Sequence, residues 1–133
     1  MDNSNAKQIF SKVKRGLGII RLVQSGNDIQ INNFDDKTIT QMLLDLIHLR
    51  HYAYMHNLVG IRNDDEEMKK EATSLLKLVT CKDDNEYPSI FEMAIGDLLT
   101  VKSKGLEKNI EKIHKICCNL VSKEWVDAGL MKI

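Results

Sequence analysis

Apolar residues recur every three or four positions along most of this chain, which is the period of one face of an α-helix. Five such segments run over residues 6–24, 35–59, 63–79, 89–102 and 106–125. The single proline, Pro88, leaves long helices unobstructed elsewhere. We therefore predict an all-α fold, a single-domain bundle or short stack of about five amphipathic helices.

Two of these segments carry clear apolar stripes. The first consists of Ile9, Phe10, Val13, Leu17, Ile20 and Val23, and the last of Ile110, Ile113, Cys117, Leu120 and Val121. Stripes of this kind predict the face that packs into the core.

Local signals predict where some helices begin, end and cross. Asp35 or Asp36 can cap the free amides at the start of the second helix, and Gly60 is a typical stop. Gly16 and Gly18 weaken the first helix by about 1 kcal/mol each relative to alanine. We interpret them as allowing another helix to cross closely.

Composition narrows the class of protein. A length of 133 residues predicts one α-helical domain over 1–133, with residues 1–5 as a disordered tail. Lysine plus arginine and aspartate plus glutamate both number 19, so no global basic field points to nucleic acid, although a local patch leaves nucleic acid open as a partner. The three cysteines include no CxxC pair, which favours free thiols and a cytoplasmic or nuclear location, and we expect no membrane span.

The second half of the chain contains an internal similarity. "EEMKKEATSLLKLV" (66–79) aligns with "KNIEKIHKICCNLV" (108–121) at a constant offset of 42 residues, which is the length of an armadillo or HEAT unit. Residues 63–133 resemble such helical repeats, which implies a stack of helices that binds other proteins. "NLVSKEW" (119–125) is also similar to the end of the helical N-terminal domain of transcription elongation factors, which implies docking on the transcription machinery.

The segment "RHYAYMH" (50–56) is the strongest candidate for chemistry. Arg50 and His56 resemble the Arg-x4–6-His motif of the HEPN superfamily, which implies RNA binding or metal-independent RNA cleavage. A base near the 2′-hydroxyl and a cation near the phosphate are what that reaction needs. On an unbroken helix, however, the two residues lie about 120° apart. We predict an unbroken helix to residue 59, with a histidine- and tyrosine-bearing face and with Arg50 directed to solvent beside Tyr54.

Other candidate sites are weaker. Asp45, His48 and His51 are close along one helix, but structural zinc uses four ligands and no second half is evident, so we expect no metal and no cofactor. Cys118 follows His114 by one turn, yet cysteine in an apolar stripe is usually a small core residue.

We therefore expect a regulatory helical protein without catalytic activity. It would bind a protein partner, or a second copy of itself as a homodimer, through a groove or helix face. The residues expected to contact the partner are Tyr52, Tyr54, His56 and Trp125. The alternatives are the HEPN-like reading with Arg50 and His56 as catalytic residues and the transcription-docking reading.

Overall fold

The structure is a computed structural model of the 133-residue chain, and it describes residues 4–26, 34–59, 79 and 90–130. Within these ranges every regular element is an α-helix. The helices are α1 (Ser4–Gln24), α2 (Asp36–Val59), α3 (Ile90–Lys102) and α4 (Glu107–Asp127). The all-α prediction is confirmed. The predicted helix over 63–79 lies outside the described residues except for Val79, which is helical and buried.

The sequence located the described helix boundaries to within one or two residues. α1 begins at Ser4 rather than at Ala6, so it includes two residues of the predicted disordered tail. Asp35 caps α2 as predicted, because its Oδ1 accepts a hydrogen bond from the Thr38 amide at 2.8 Å. Hydrogen bonds from the side chain and the backbone amide of Thr38 lower the pKa of the Asp35 carboxyl. Gly60 lies outside the described residues.

Glycines in the left-handed region close three of the helix ends. Gly26 follows α1 with φ +85°, Gly105 separates α3 from α4 with φ +76°, and Gly129 follows α4 with φ +75°. After α4, the amide of Leu130 donates to the carbonyl of Trp125 at 3.0 Å. This bond forms a Schellman-type cap that satisfies a terminal carbonyl of the helix.

One hydrophobic core lies between the four helices, and α2 packs against the other three. Every residue from 45 to 49 on α2 is buried, including the polar pair Asp45 and His48. The largest fully buried side chains are those of Trp125, Tyr52, Phe91, Ile9, Ile20, Leu43, Leu46, Ile47, Leu49 and Leu98. α2 is therefore a central helix with no single buried stripe, and it brings polar groups into the interior.

The backbones of α1 and α2 approach closely at Gly16. A β-carbon at this position would lie 2.5 Å from the carbonyl oxygen of Asp45 and 3.1 Å from the β-carbon of Leu49. A β-carbon at Gly18 would meet nothing within 4 Å. The predicted close crossing is therefore confirmed for Gly16 alone. None of the described helices is long and apolar enough to span a bilayer.

Candidate functional site

A chain of polar side chains crosses the interface between α2 and α4, centred on His48. The indole Nε1–H of Trp125 donates to His48 Nδ1 at 3.0 Å. Since Nδ1 is the acceptor, the ring proton of the neutral imidazole resides on Nε2. That nitrogen faces Glu124 Oε2 at 3.1 Å and donates to it. Both ring nitrogens of a fully buried histidine are therefore satisfied.

His48 is held neutral by its surroundings. Burial is the main cause that lowers its pKa from 6.5 to about 4, and the positive charge of Lys12 and the neighbouring His51 lower it further. The Glu124 carboxylate opposes this shift by charge and by its hydrogen bond. Protonation at Nδ1 would also turn this acceptor into a donor facing the indole N–H, so the geometry and the pKa agree.

Two ion pairs connect α1 to this network. Lys12 pairs with Glu124, and the guanidinium of Arg15 donates to both oxygens of Asp45 at 3.0 and 3.2 Å. Asp45 is almost fully buried, so desolvation raises the pKa of its carboxyl while the hydrogen bond and charge of Arg15 lower it. A paired, hydrogen-bonded carboxylate can be buried at moderate cost, whereas an unpaired one cannot.

Arg50 lies in a pocket of side chains from α3 and α4. Its Nη2 donates to Cys118 Sγ at 3.2 Å and to His114 Nε2 at 3.4 Å, and its guanidinium carbon lies 5.5 Å from the centre of the Phe91 ring. Arg50 therefore stacks on Phe91 and not, as predicted, beside Tyr54 in solvent. Burial and the charge of Arg50 lower the pKa of His114. Arg50 connects three helices.

His51 completes the contact between α2 and α4. Its Nε2 and the hydroxyl of Ser122 are joined by a hydrogen bond of 3.0 Å, and its ring lies 5.9 Å from the ring of Trp125. Burial is the main cause that lowers its pKa, and Arg50 adds to it. Arg50 and His51 thus both pack against α4.

Of the Arg50–His56 pair in the HEPN-like hypothesis, the structure describes the side chain of Arg50 alone. α2 continues without a break to Val59, which confirms the prediction of one helix through residue 50. The side chain of His56 lies outside the described residues, so its role stays a prediction. Among the side chains that the structure describes, the histidine hydrogen-bonded to Arg50 is His114, 64 residues further along the chain.

The predicted partner-contacting residues fall into two groups. Tyr52 and Trp125 are fully buried, and the Tyr52 ring packs edge-on against Phe10 with ring centres 6.0 Å apart. Both side chains are therefore core residues. Tyr54 is exposed at 37% and stays a predicted contact residue.

The cysteines and acids show no further assembled site in the ranges described. Burial raises the pKa of the Cys117 thiol, which suits a core residue. Among the described residues, no group of three or more histidine, cysteine, aspartate or glutamate side chains could hold a metal ion.

The apolar stripe predicted for α4 is correct except at one residue. Cys117 and Val121 are buried, and Ile110 and Ile113 pack partly buried against the core. Leu120 was assigned to the buried stripe, but it is 54% exposed, and Ile116 one turn before it is 48% exposed. His114, Cys118 and Ser122 approach α2 beside this stripe. The sequence signal that could have placed Leu120 outside is the spacing of Cys117, Val121 and Trp125, which share one face at four-residue steps and are all buried.

Four exposed lysines accompany these two apolar residues along α4. They are Lys108, Lys112, Lys115 and Lys123. We call the six residues, Ile116 and Leu120 together with these lysines, the α4 outer face.

No known protein family, curated protein or solved structure matches this chain, so the resemblances to armadillo-type repeats, to the HEPN motif and to elongation-factor domains stay predictions.

Proposed function

We propose that this chain is a non-catalytic helical module that binds a partner protein through the α4 outer face. The observation that carries the proposal is the exposure of Ile116 and Leu120, two large apolar side chains one helical turn apart. Burying a large aliphatic side chain completely is worth about 1.5–3 kcal/mol, so covering the exposed half of each gives about 1 kcal/mol per residue. Such a pair is the anchor pattern of helix-mediated recognition.

The polar groups of the interior support a non-catalytic role. His48 has both nitrogens committed to Trp125 and Glu124, and Arg50 is committed to Cys118 and His114. These bonds join α2 to α4 and account for the polar residues in the core without invoking a reaction.

The proposal is tested by photo-crosslinking in cells that naturally make the protein. Benzoylphenylalanine replaces Leu120 in one variant and Met93 in a matched control, since Met93 is 52% exposed on α3. We expect defined covalent adducts with another protein from position 120 and none above background from position 93. Equal adduct yields at the two positions, or none at either, would contradict the proposal.

The HEPN-like ribonuclease is the second candidate. It is favoured by one observation, the half-buried guanidinium of Arg50 next to the imidazole of His114. A cation beside a histidine is the arrangement that metal-independent RNA cleavage needs. Incubation of RNA oligonucleotides with wild type, His56→Ala and His114→Ala decides between the candidates. We expect no cleavage by any of them, whereas cleavage that depends on either histidine would support the enzyme.

A further inference from the structure

We infer that the partner bound at the α4 outer face is an acidic amphipathic helix, with two apolar residues one turn apart and carboxylates along one side. This inference rests on the proposed function and names the chemistry of the partner. It is carried by the charges that border Ile116 and Leu120.

The four lysines lie along one edge of α4. Lys108, Lys112, Lys115 and Lys123 follow each other at steps of four, three and eight residues. At 100° per residue these positions fall within an arc of about 80° on the helix surface. The intervening position on the same edge is Asn119, which is exposed and uncharged. The edge thus presents four positive charges over about 22 Å of helix length, and the exposed acids Glu111 and Asp127 lie about 40° beyond it on either side.

Ion pairing distinguishes these lysines from other lysines of the chain. Lys12 and Lys102 pair with Glu124 and Asp36. In contrast, none of the four lysines on α4 forms an ion pair within the part of the chain that the structure describes.

The apolar pair lies directly beside the lysine edge. Ile116 follows Lys115 in the chain, and Leu120 precedes Lys123 by one turn. Counted at 100° per residue, Ile116 lies about 20° and Leu120 about 60° beyond the Lys123 position around the helix. A ligand that covers both Ile116 and Leu120 therefore has one side against the ammonium groups of the α4 lysines. Charge complementarity assigns carboxylates to that side of the ligand.

Two other ligands fit this surface less well. In an antiparallel symmetric dimer through this patch, the lysine edges of the two copies lie on the same side of the contact and repel each other. A nucleic acid would use the lysines through its phosphates but would leave Ile116 and Leu120 exposed, because phosphate contacts bring no apolar surface. An acidic amphipathic segment uses both halves of the face.

The test measures binding of synthetic helical peptides to the full chain by fluorescence anisotropy at low salt. The probe has leucines one turn apart with glutamates along one side, and the controls are a scrambled peptide and the same peptide with lysine in place of glutamate. We expect the acidic peptide to bind at least about tenfold more tightly than either control, since like charges facing each other are disfavoured.

Variants of the protein assign the binding to this face. We expect Lys112→Glu/Lys115→Glu to weaken the acidic peptide about tenfold and to improve the lysine peptide. We expect Leu120→Ser, which removes about 1 kcal/mol of apolar burial, to weaken the acidic peptide about fivefold at low and at high salt alike. Glu substitution of Lys7 and Lys104, two exposed lysines outside α4, is the matched control and should change the affinity less than about twofold.

The outcomes separate this inference from the proposed function. Adducts at position 120 combined with equal binding of all three peptides would overturn the inference and leave the proposed function standing. Absence of both adducts and peptide binding would reject both. Binding of an RNA oligonucleotide that is lost in Lys112→Glu/Lys115→Glu but kept in Leu120→Ser would identify the face as an RNA site and overturn the inference.

Discussion

His48 is the residue on which the interior network depends. It accepts from Trp125 and donates to Glu124, and Glu124 in turn pairs with Lys12 of α1. A single tautomer satisfies this pattern, because the Nδ1 acceptor requires the proton on Nε2. Three helices are thereby joined through one neutral imidazole.

We predict that the protein loses stability as the pH falls from about 6.5 to about 4. The folded pKa of His48, about 4, is below its ordinary value of 6.5. Above pH 6.5 the His48 imidazole is neutral in both the folded and the unfolded chain, so its contribution to stability is fully present. Between pH 6.5 and pH 4 it binds a proton in the unfolded chain but stays neutral in the folded chain, which favours unfolding. A shift of this size is worth about 3 kcal/mol at full development.

Urea unfolding between pH 7 and pH 4.5, for wild type and His48→Gln, measures this effect. Glutamine keeps an acceptor and a donor but does not titrate, so we expect a shallower pH dependence in the variant. The variant retains the smaller slope contributed by His51 and His114, whose pKa values are also lowered by burial. Identical slopes in the two proteins would show that His48 does not carry the dependence.

At the scale of elements, the crossing of α1 and α2 is set by a missing side chain. Gly16 allows the backbone of α1 to approach Asp45, and in the same region Arg15 donates to the carboxylate of Asp45. The close approach and the ion pair thus fix the same pair of helices.

We predict opposite effects of alanine at the two glycines of α1. Gly16→Ala places a β-carbon 2.5 Å from the Asp45 carbonyl oxygen, so the helices must separate, at a cost of about 1–3 kcal/mol. Gly18→Ala enters open space and gains up to about 1 kcal/mol from helix propensity. Urea unfolding of both variants checks this, and stabilisation by Gly16→Ala would refute the proposed close packing.

The sequence could predict helices better than their partners. Periodicity and the Asp35 cap located the helices because these signals are local. The bond between Trp125 and His48 joins residues 77 positions apart, and no local pattern encodes it. The exposure of Leu120 was missed for a related reason. Hydropathy alone places Leu120 inside, whereas the packing brings polar residues of α4 to the polar residues of α2.

At the scale of the whole molecule, a net charge of zero still allows a local row of one sign, such as the lysine edge of α4, although α4 also carries four acids, Glu107, Glu111, Glu124 and Asp127. Lys12 and Arg15 are paired with acids at helix interfaces. The lysines of α4, in contrast, lie together at the surface. The charge balance of the chain therefore excludes a global basic field but not the local one, which faces solvent on a single helix.

We predict that this local charge keeps the chain monomeric at low ionic strength. Antiparallel pairing of two α4 outer faces would bury Ile116 and Leu120 of each copy, but it would also bring their lysine edges together on one side of the contact. Screening shortens the range of this repulsion from about 10 Å at 0.1 M salt to about 3 Å at 1 M. Sedimentation velocity should therefore show a monomer at low salt, and raising the salt should favour self-association through this contact. The homodimer expected from the sequence would persist at low salt only if its contact lies on another face of the molecule. A dimer that persists at low salt and in Leu120→Ser would place the self-interface on another face of the molecule and leave the α4 outer face to a different protein.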